Sequence, residues 1–175
     1  VVRPFGFDID FDDDRSSDTD DSRAEDASGS VFRKAGSAFE TTLKAQRWQA
    51  GDDANNDGIP DDDADLSDNG TTPNYGNEIG TEEDDAVVSH TLDLPVAARG
   101  SQEGTLSGGA LFTTFTGAVS TADLSYSEVG IIDLEANLSD NDYLGSGQDI
   151  QGNVQNVGRF IPDHFTLTSA SVSPM

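Results

Sequence analysis

Residues 8–30 and 51–86 carry almost no apolar side chains, and that gap fixes where a core can form. Those 59 positions hold five of the Leu, Ile, Val and Phe residues (Ile9, Phe11, Ile59, Leu66 and Ile79), while the other 116 positions hold 33. Ordering a backbone costs roughly 1–2 kcal/mol per residue, and a stretch without apolar anchors does not recover it. The two stretches are therefore read as long acidic loops, at 12–30 and 51–86, and the folded elements must come from the remainder.

The remainder alternates with the period of β-strands. Phe5, Phe7, Ile9 and Phe11 share one parity between Val2 and Phe11, with Asp8, Asp10 and Asp12 on the other. From Phe39, the residues Phe39, Thr41, Leu43 and Ala45 share a face, and Trp48 breaks that parity at the strand's end. Further strand patterns run from Val87 to Leu94, Gly104 to Phe115, Val119 to Tyr126, Gly130 to Leu138, and Val157 through Ile161 toward Ser169. The short turn Glu128-Val129-Gly130 between two cleanly alternating runs predicts a β-hairpin there. No segment shows a capped helical period.

Many short strands at regular spacing predict an all-β fold, an immunoglobulin-like antiparallel β-sandwich with long acidic loops. Residues 1–158 form the sandwich domain in this reading. Residues 159–175 are a terminal strand or the start of a following domain, because Arg159-Phe160-Ile161-Pro162 echoes Arg3-Pro4-Phe5.

Charge removes several function classes. Nine Lys and Arg stand against 34 Asp and Glu, a net charge of −25. Nucleic acid is not an expected partner, because phosphate neutralisation needs cations this chain lacks. An anionic membrane surface is disfavoured on the same ground, and no apolar run reaches the length of a membrane span. With no Cys, there are no disulfides, thiolate metal sites or cysteine nucleophiles.

One motif carries chemistry. Asp53-x-Asn55-x-Asp57-Gly58-Ile59-x-Asp61 has the first nine positions of a calcium loop. Ca²⁺ takes six to eight oxygens, and short oxygen side chains at alternate positions turn inward when the backbone curls round the ion. Gly58 permits the sharp turn, Ile59 offers its carbonyl, and Asp61 ligates directly or through water. Position 12 is Ala64, not the bidentate Glu of an EF-hand, and no helices flank the loop. The pattern resembles the helix-free loops of dockerin-like and thrombospondin type 3 repeats. Asp62, Asp63, Asp65 or Asp68 would close the shell, with Asp65 favoured. Eight Asp and no Lys or Arg lie between Gly51 and Gly70, so no cation within that stretch relieves the repulsion. The alternative is a solvated acidic turn without an ion.

The acidic run from Asp8 to Asp26 has ligand spacing at Asp10, Asp12 and Asp14 but lacks the glycine, and a solvated loop is the simpler reading. His90 shares parity with Val88 and Leu92, which marks a core or rim histidine, and His164 follows a turn. There is no nucleophile elbow, zinc-protease motif or phosphate loop, so no enzyme activity is expected. Asn69-Gly70-Thr71 fits the glycosylation pattern, which is too common to carry weight.

Several strings carry a family resemblance. Arg47-Trp48-Gln49-Ala50 leads into the calcium motif, and Thr72-Pro73-Asn74-Tyr75-Gly76, Tyr143-Leu144-Gly145-Ser146 and Val157-Gly158-Arg159-Phe160-Ile161-Pro162-Asp163-His164-Phe165 follow. They resemble the C-terminal region of MshQ-like proteins, associated with biogenesis of the mannose-sensitive haemagglutinin type IV pilus. The resemblance implies an extracellular or cell-surface protein of a Gram-negative bacterium. It implies neighbouring domains of a longer chain as partners, and pilus or filament components or surface glycans as further ones. The expected function is a non-catalytic, calcium-stabilised structural or adhesive module. Two alternatives stand beside it: a calcium-dependent lectin-like domain using Trp48 and Tyr75 against sugar, and a filament subunit that pairs its first or last strand with a neighbour.

Overall fold

The computed structural model describes residues 2–12, 23–62, 64–78 and 85–167. Readings that touch Asp14, Asp63, Glu82, Glu83, Asp84 and Ser169 lie outside the described residues. Nine strands are present among the described residues: β1 (Gly6–Asp12), β2 (Arg33–Lys34), β3 (Ala38–Gln46), β4 (Ala86–Leu94), β5 (Leu106–Gly108), β6 (Leu111–Phe112), β7 (Val119–Tyr126), β8 (Gly130–Leu138) and β9 (Gln151–Ile161). The only helical pieces among them are three short 3₁₀ turns. Among the described residues, no helix is long and apolar enough to cross a membrane.

The all-β class is as expected, but its layering differs. The strands form one curled mixed sheet in the order β5-β7-β3-β1-β9-β8-β4-β6, with β2 also on β9, where the sequence pattern pointed to the two antiparallel sheets of an immunoglobulin-like sandwich. The sheet has two antiparallel halves, β5-β7-β3-β1 and β9-β8-β4-β6. They meet through a parallel contact registered at a single pair, Gly6 with Gln151. A Cβ on Gly152 would stand 1.9 Å from the Phe7 carbonyl oxygen, so only glycine allows β9 to approach β1 this closely. At the far side, β5 lies on β7 and β6 on β4, and only Gly109 and Ala110 separate them. One stretch of chain thus draws the two outer edges of the sheet together into a half-barrel.

The predicted hairpin is absent. β7 pairs with β3 and β5, and β8 with β4 and β9. The chain crosses from one half of the sheet to the other at residues 127–129. Both strands still bury their apolar face, Leu124 and Tyr126 from β7 and Ile132 and Leu134 from β8, in one core. Alternation specifies which face is buried, not which strand lies alongside.

The core is aromatic. The Phe32 ring stands edge-on to Phe11 and Phe160, at 5.4 Å from each, and edge-on to Phe39 at 5.3 Å. A second group joins Phe7, Tyr75 and Phe115, with Tyr75 also stacked on Tyr143. Such pairs add ~0.5–1.5 kcal/mol each beyond the area they bury. On β3, Phe39, Thr41, Leu43 and Ala45 all face inward, as their parity predicts. β1 lies inside the sheet with Phe7 and Phe11 fully buried, and β9 is paired on both sides. β1 and β9 thus each have strand neighbours, although β1 joins β9 only at Gly6 and Gln151.

Candidate metal-binding loop

The motif residues sit in a loop pinned to the start of β1 and the end of β3. The Pro60 and Leu66 side chains pack against Gly6 so closely that an added Cβ would meet them at 2.5 and 2.9 Å. Arg47 donates its N–H to the Gly70 carbonyl, and Thr72 donates to the Ala45 carbonyl, which fixes both ends of the excursion. Within it, Asn56 and Gly58 take left-handed φ values of 60° and 82°. Asn and Gly are the residues that accept this conformation most easily.

Asp53 is the hub. It is 5% exposed, and its carboxylate accepts three N–H groups: Asp57 at 3.0 Å on Oδ1, and Gly58 and the Trp48 indole, each at 3.2 Å, on Oδ2. Asn55 Oδ1 accepts the Asp57 N–H, Asp57 Oδ1 accepts that of Ile59, and Asp61 Oδ2 accepts that of Ala54. The fold thus brings Asp53, Asn55, Asp57, Ile59 and Asp61 into one tight turn by side chain-to-backbone bonds. Asp65 stands apart. Its Oδ1 accepts the Ser67 hydroxyl and N–H and caps the turn at Leu66–Asp68. Those hydrogen bonds, and more weakly Arg23, hold its carboxyl below the usual carboxylate range. Among the described residues, no three His, Cys, Asp or Glu side chains converge as a metal-holding group.

One residue escaped the sequence reading. Arg3 Nη2 donates to the Gly58 carbonyl across 55 positions. A cation therefore does reach this loop, from the start of the chain rather than from within residues 51–70. It engages a carbonyl dipole, and nothing local in the sequence signals the contact.

Other candidates resolve plainly. Tyr75 is 1% exposed, so it is a core residue and not a sugar contact. Trp48 is 53% exposed and does not bury its ring under the loop. Asn69 is buried, and its amide donates to Asp52 and to the Arg47 carbonyl, which removes it as a glycosylation acceptor in the folded chain. His90 rests edge-on against Tyr126 at 5.2 Å, its Nε2 is 3.2 Å from the Gly104 carbonyl, and Glu103 is 3.7 Å away. His164 pairs with Asp163.

Comparison with known sequences gives two adjoining matches. The second domain of DUF6701 matches residues 3–128, and the third domain of DUF6701 matches residues 128–175. The chain belongs to the DUF6701 family. No curated protein matches it, and no solved structure does. In DUF6701 terms, β1 to β7 lie in the second-domain match and β8 and β9 in the third. Yet β8 and β9 form the half of the sheet that also contains β4, and β9 makes the single registered contact with β1. The family boundary at residue 128 therefore runs through one hydrogen-bonded sheet.

Proposed function

We propose that this DUF6701 segment is a non-catalytic structural module of a bacterial cell-surface or pilus-associated protein, MshQ-like in kind, and that Ca²⁺ held at residues 51–69 stabilises it. The observation that carries the reading is the single turn in which Asp53, Asn55, Asp57 and Asp61 stand at ligand spacing with backbone N–H groups on their side-chain oxygens; no three carboxylates converge among the described residues, so binding must draw them inward. Oxygen donors held this way suit a hard cation with flexible coordination. The Arg3 contact relieves only part of the repulsion, since it falls on the Gly58 carbonyl. Asp65 holds Ser67 with Oδ1 alone, so its Oδ2 is available to close the shell, with Asp62 as the alternative. A half-barrel with drawn-in edges is suited to bearing load between neighbouring domains, the role an immunoglobulin-like sandwich plays elsewhere, and its acidity suits a saline exterior.

The test is thermal unfolding in EDTA, then in millimolar Ca²⁺, with Mg²⁺ as control. Affinity is expected near ~10⁻⁴–10⁻³ M, as in extracellular modules. At about 1 mM Ca²⁺, equal to that Kd or tenfold above it, the stabilisation is about 0.4–1.4 kcal/mol. Asp57→Ala should erase the calcium-dependent rise. Identical melting in EDTA and Ca²⁺, with no heat of binding, would leave the loop an acidic turn only. A lectin-like role is the second reading, favoured by the exposed Trp48 ring beside Asp53. Glycan binding lost in a folded Trp48→Ala variant would establish it.

A further inference from the structure

Where β4 ends, β8 begins and β9 ends, the surface opens into a groove of about 530 Å³. Among the described residues, Leu94, Pro95, Val96, Ile131, Ile161 and Pro162 line it with Ala27, Gly130 and Phe160, and Arg99 and Arg159 are the ionisable groups. The volume lies in the range of sites for small organic ligands, which pair apolar walls with a few polar groups. The groove is remote from loop 51–69, which packs at Gly6, beside the opposite end of β9. At ~3.3 Å per residue, the eleven residues of β9 put roughly 30 Å between them.

Charge makes the groove stand out. The chain has 34 acidic residues, yet none of the eleven described residues lining the groove is acidic. Lys34 and Lys44 are paired with Asp163, Asp8 and Asp10. Neither groove arginine has a carboxylate ion pair among the described residues. Arg159 donates from Nη1 to the Ala27 carbonyl, while its Nε is buried with no hydrogen bond. Hydrogen bonds from the Ser28 hydroxyl and N–H to Asp26 Oδ1, and more weakly the charge of Arg159, hold the Asp26 carboxyl below the usual range. The exposed guanidinium of Arg99 beside an apolar wall matches a carboxylate attached to a hydrocarbon body.

We propose that this groove binds a small amphiphilic carboxylate, its chain against Leu94, Val96, Ile131 and Ile161 and its head group between Arg99 and Arg159. The probe is decanoate, titrated into the ¹⁵N-labelled chain, with decanol as the uncharged control. Expected are amide shifts confined to residues 94–99, 130–131 and 159–162, with decanoate binding about tenfold more tightly than decanol. Arg99→Gln, at an exposed position, should remove most of that difference. Val96→Glu should abolish decanoate binding while decanol still binds. The proposal is overturned if decanoate and decanol bind alike, if the shifts fall elsewhere, or if neither binds and only an acidic peptide perturbs the groove. That last result would make the groove a polypeptide docking surface.

Discussion

Asn69 Nδ2 donates to Asp52 Oδ2 at 2.9 Å, with both residues more than nine-tenths buried. The carboxylate gains a neutral donor where no Lys or Arg stands in the surrounding stretch, and the second Asn69 hydrogen goes to the Arg47 carbonyl. Asn69→Ala should cost about 2–3 kcal/mol, because it leaves a buried charge underpaired. Urea unfolding measures this. A cost under about 0.5 kcal/mol would mean that the pair does not anchor the loop.

Trp48 is the sole tryptophan, and its indole donates to the hub carboxylate of Asp53. Its emission should therefore report the loop directly. Millimolar Ca²⁺ should shift the spectrum of the wild-type chain, and Asp53→Ala should make it indifferent to the ion. Unchanged emission in a chain that melts higher with Ca²⁺ would place the ion elsewhere.

The pH dependence has opposing parts. Burial pushes the Asp8 carboxyl up, against Lys44, with Asp10 and Asp65 adding to the rise. Folding thus favours the protonated form. The contribution of Asp8 is fully present below the unfolded value of ~3.9 and is lost as pH rises through its folded pKa. Asp65 behaves inversely: its lowered pKa stabilises above the unfolded value and fades as pH falls through the folded one. Asp8→Asn should raise stability at pH 7 by up to about 1 kcal/mol, since Lys44 keeps Asp10 at 2.5 Å. At pH 3 the gain should vanish. Asp65→Asn should destabilise at pH 7 and be neutral in acid. Denaturant midpoints across pH 3–7 distinguish the two.

Gly152→Ala tests the join between the halves of the sheet. The added methyl would overlap the Phe7 carbonyl, a backbone atom with little room to move. A loss of about 1–3 kcal/mol is expected, with Trp48 fluorescence and core near-ultraviolet signals disappearing together. Wild-type stability would show that β1 and β9 can separate freely.

A protease site inserted between Ser127 and Glu128 tests the family boundary. The nicked chain should elute as one species and melt once, because β8 pairs along its length with β4 and β9 returns to β1. Two separable, independently folded pieces would show that the domains stand alone.

The strands were legible where one face is buried. β7 and β8 fall at the residues their alternation predicts, and β3 turns its predicted parity inward. Pairing was not legible, because Glu128-Val129-Gly130 reads as a hairpin turn and serves as a crossover. β2 is only two residues long, below the length at which a period exists. The run from Gln151 to Asn156 is too polar to announce a strand, its polar side chains being only partly buried or exposed. At the loop, the ligand spacing was visible because it is local. The reach of Arg3 to Gly58 and the burial of Tyr75 are tertiary facts that composition and spacing do not encode.

The boundary at residue 128 also bears on how such chains are inherited. A gene fragment ending there would encode β4 stripped of β8 along its whole length, and Phe32, Phe39 and Tyr126 without the Phe160 ring that packs on them. Its counterpart would encode β8 and β9 with no sheet to enter. Recombination can exchange the two segments between relatives only as a matched set, or with a partner whose β8 fits the recipient's β4 and whose glycine at 152 still admits β1. Co-transmission of the segments is therefore a geometric requirement, and mixed pairs from divergent relatives should be rare among chains that fold.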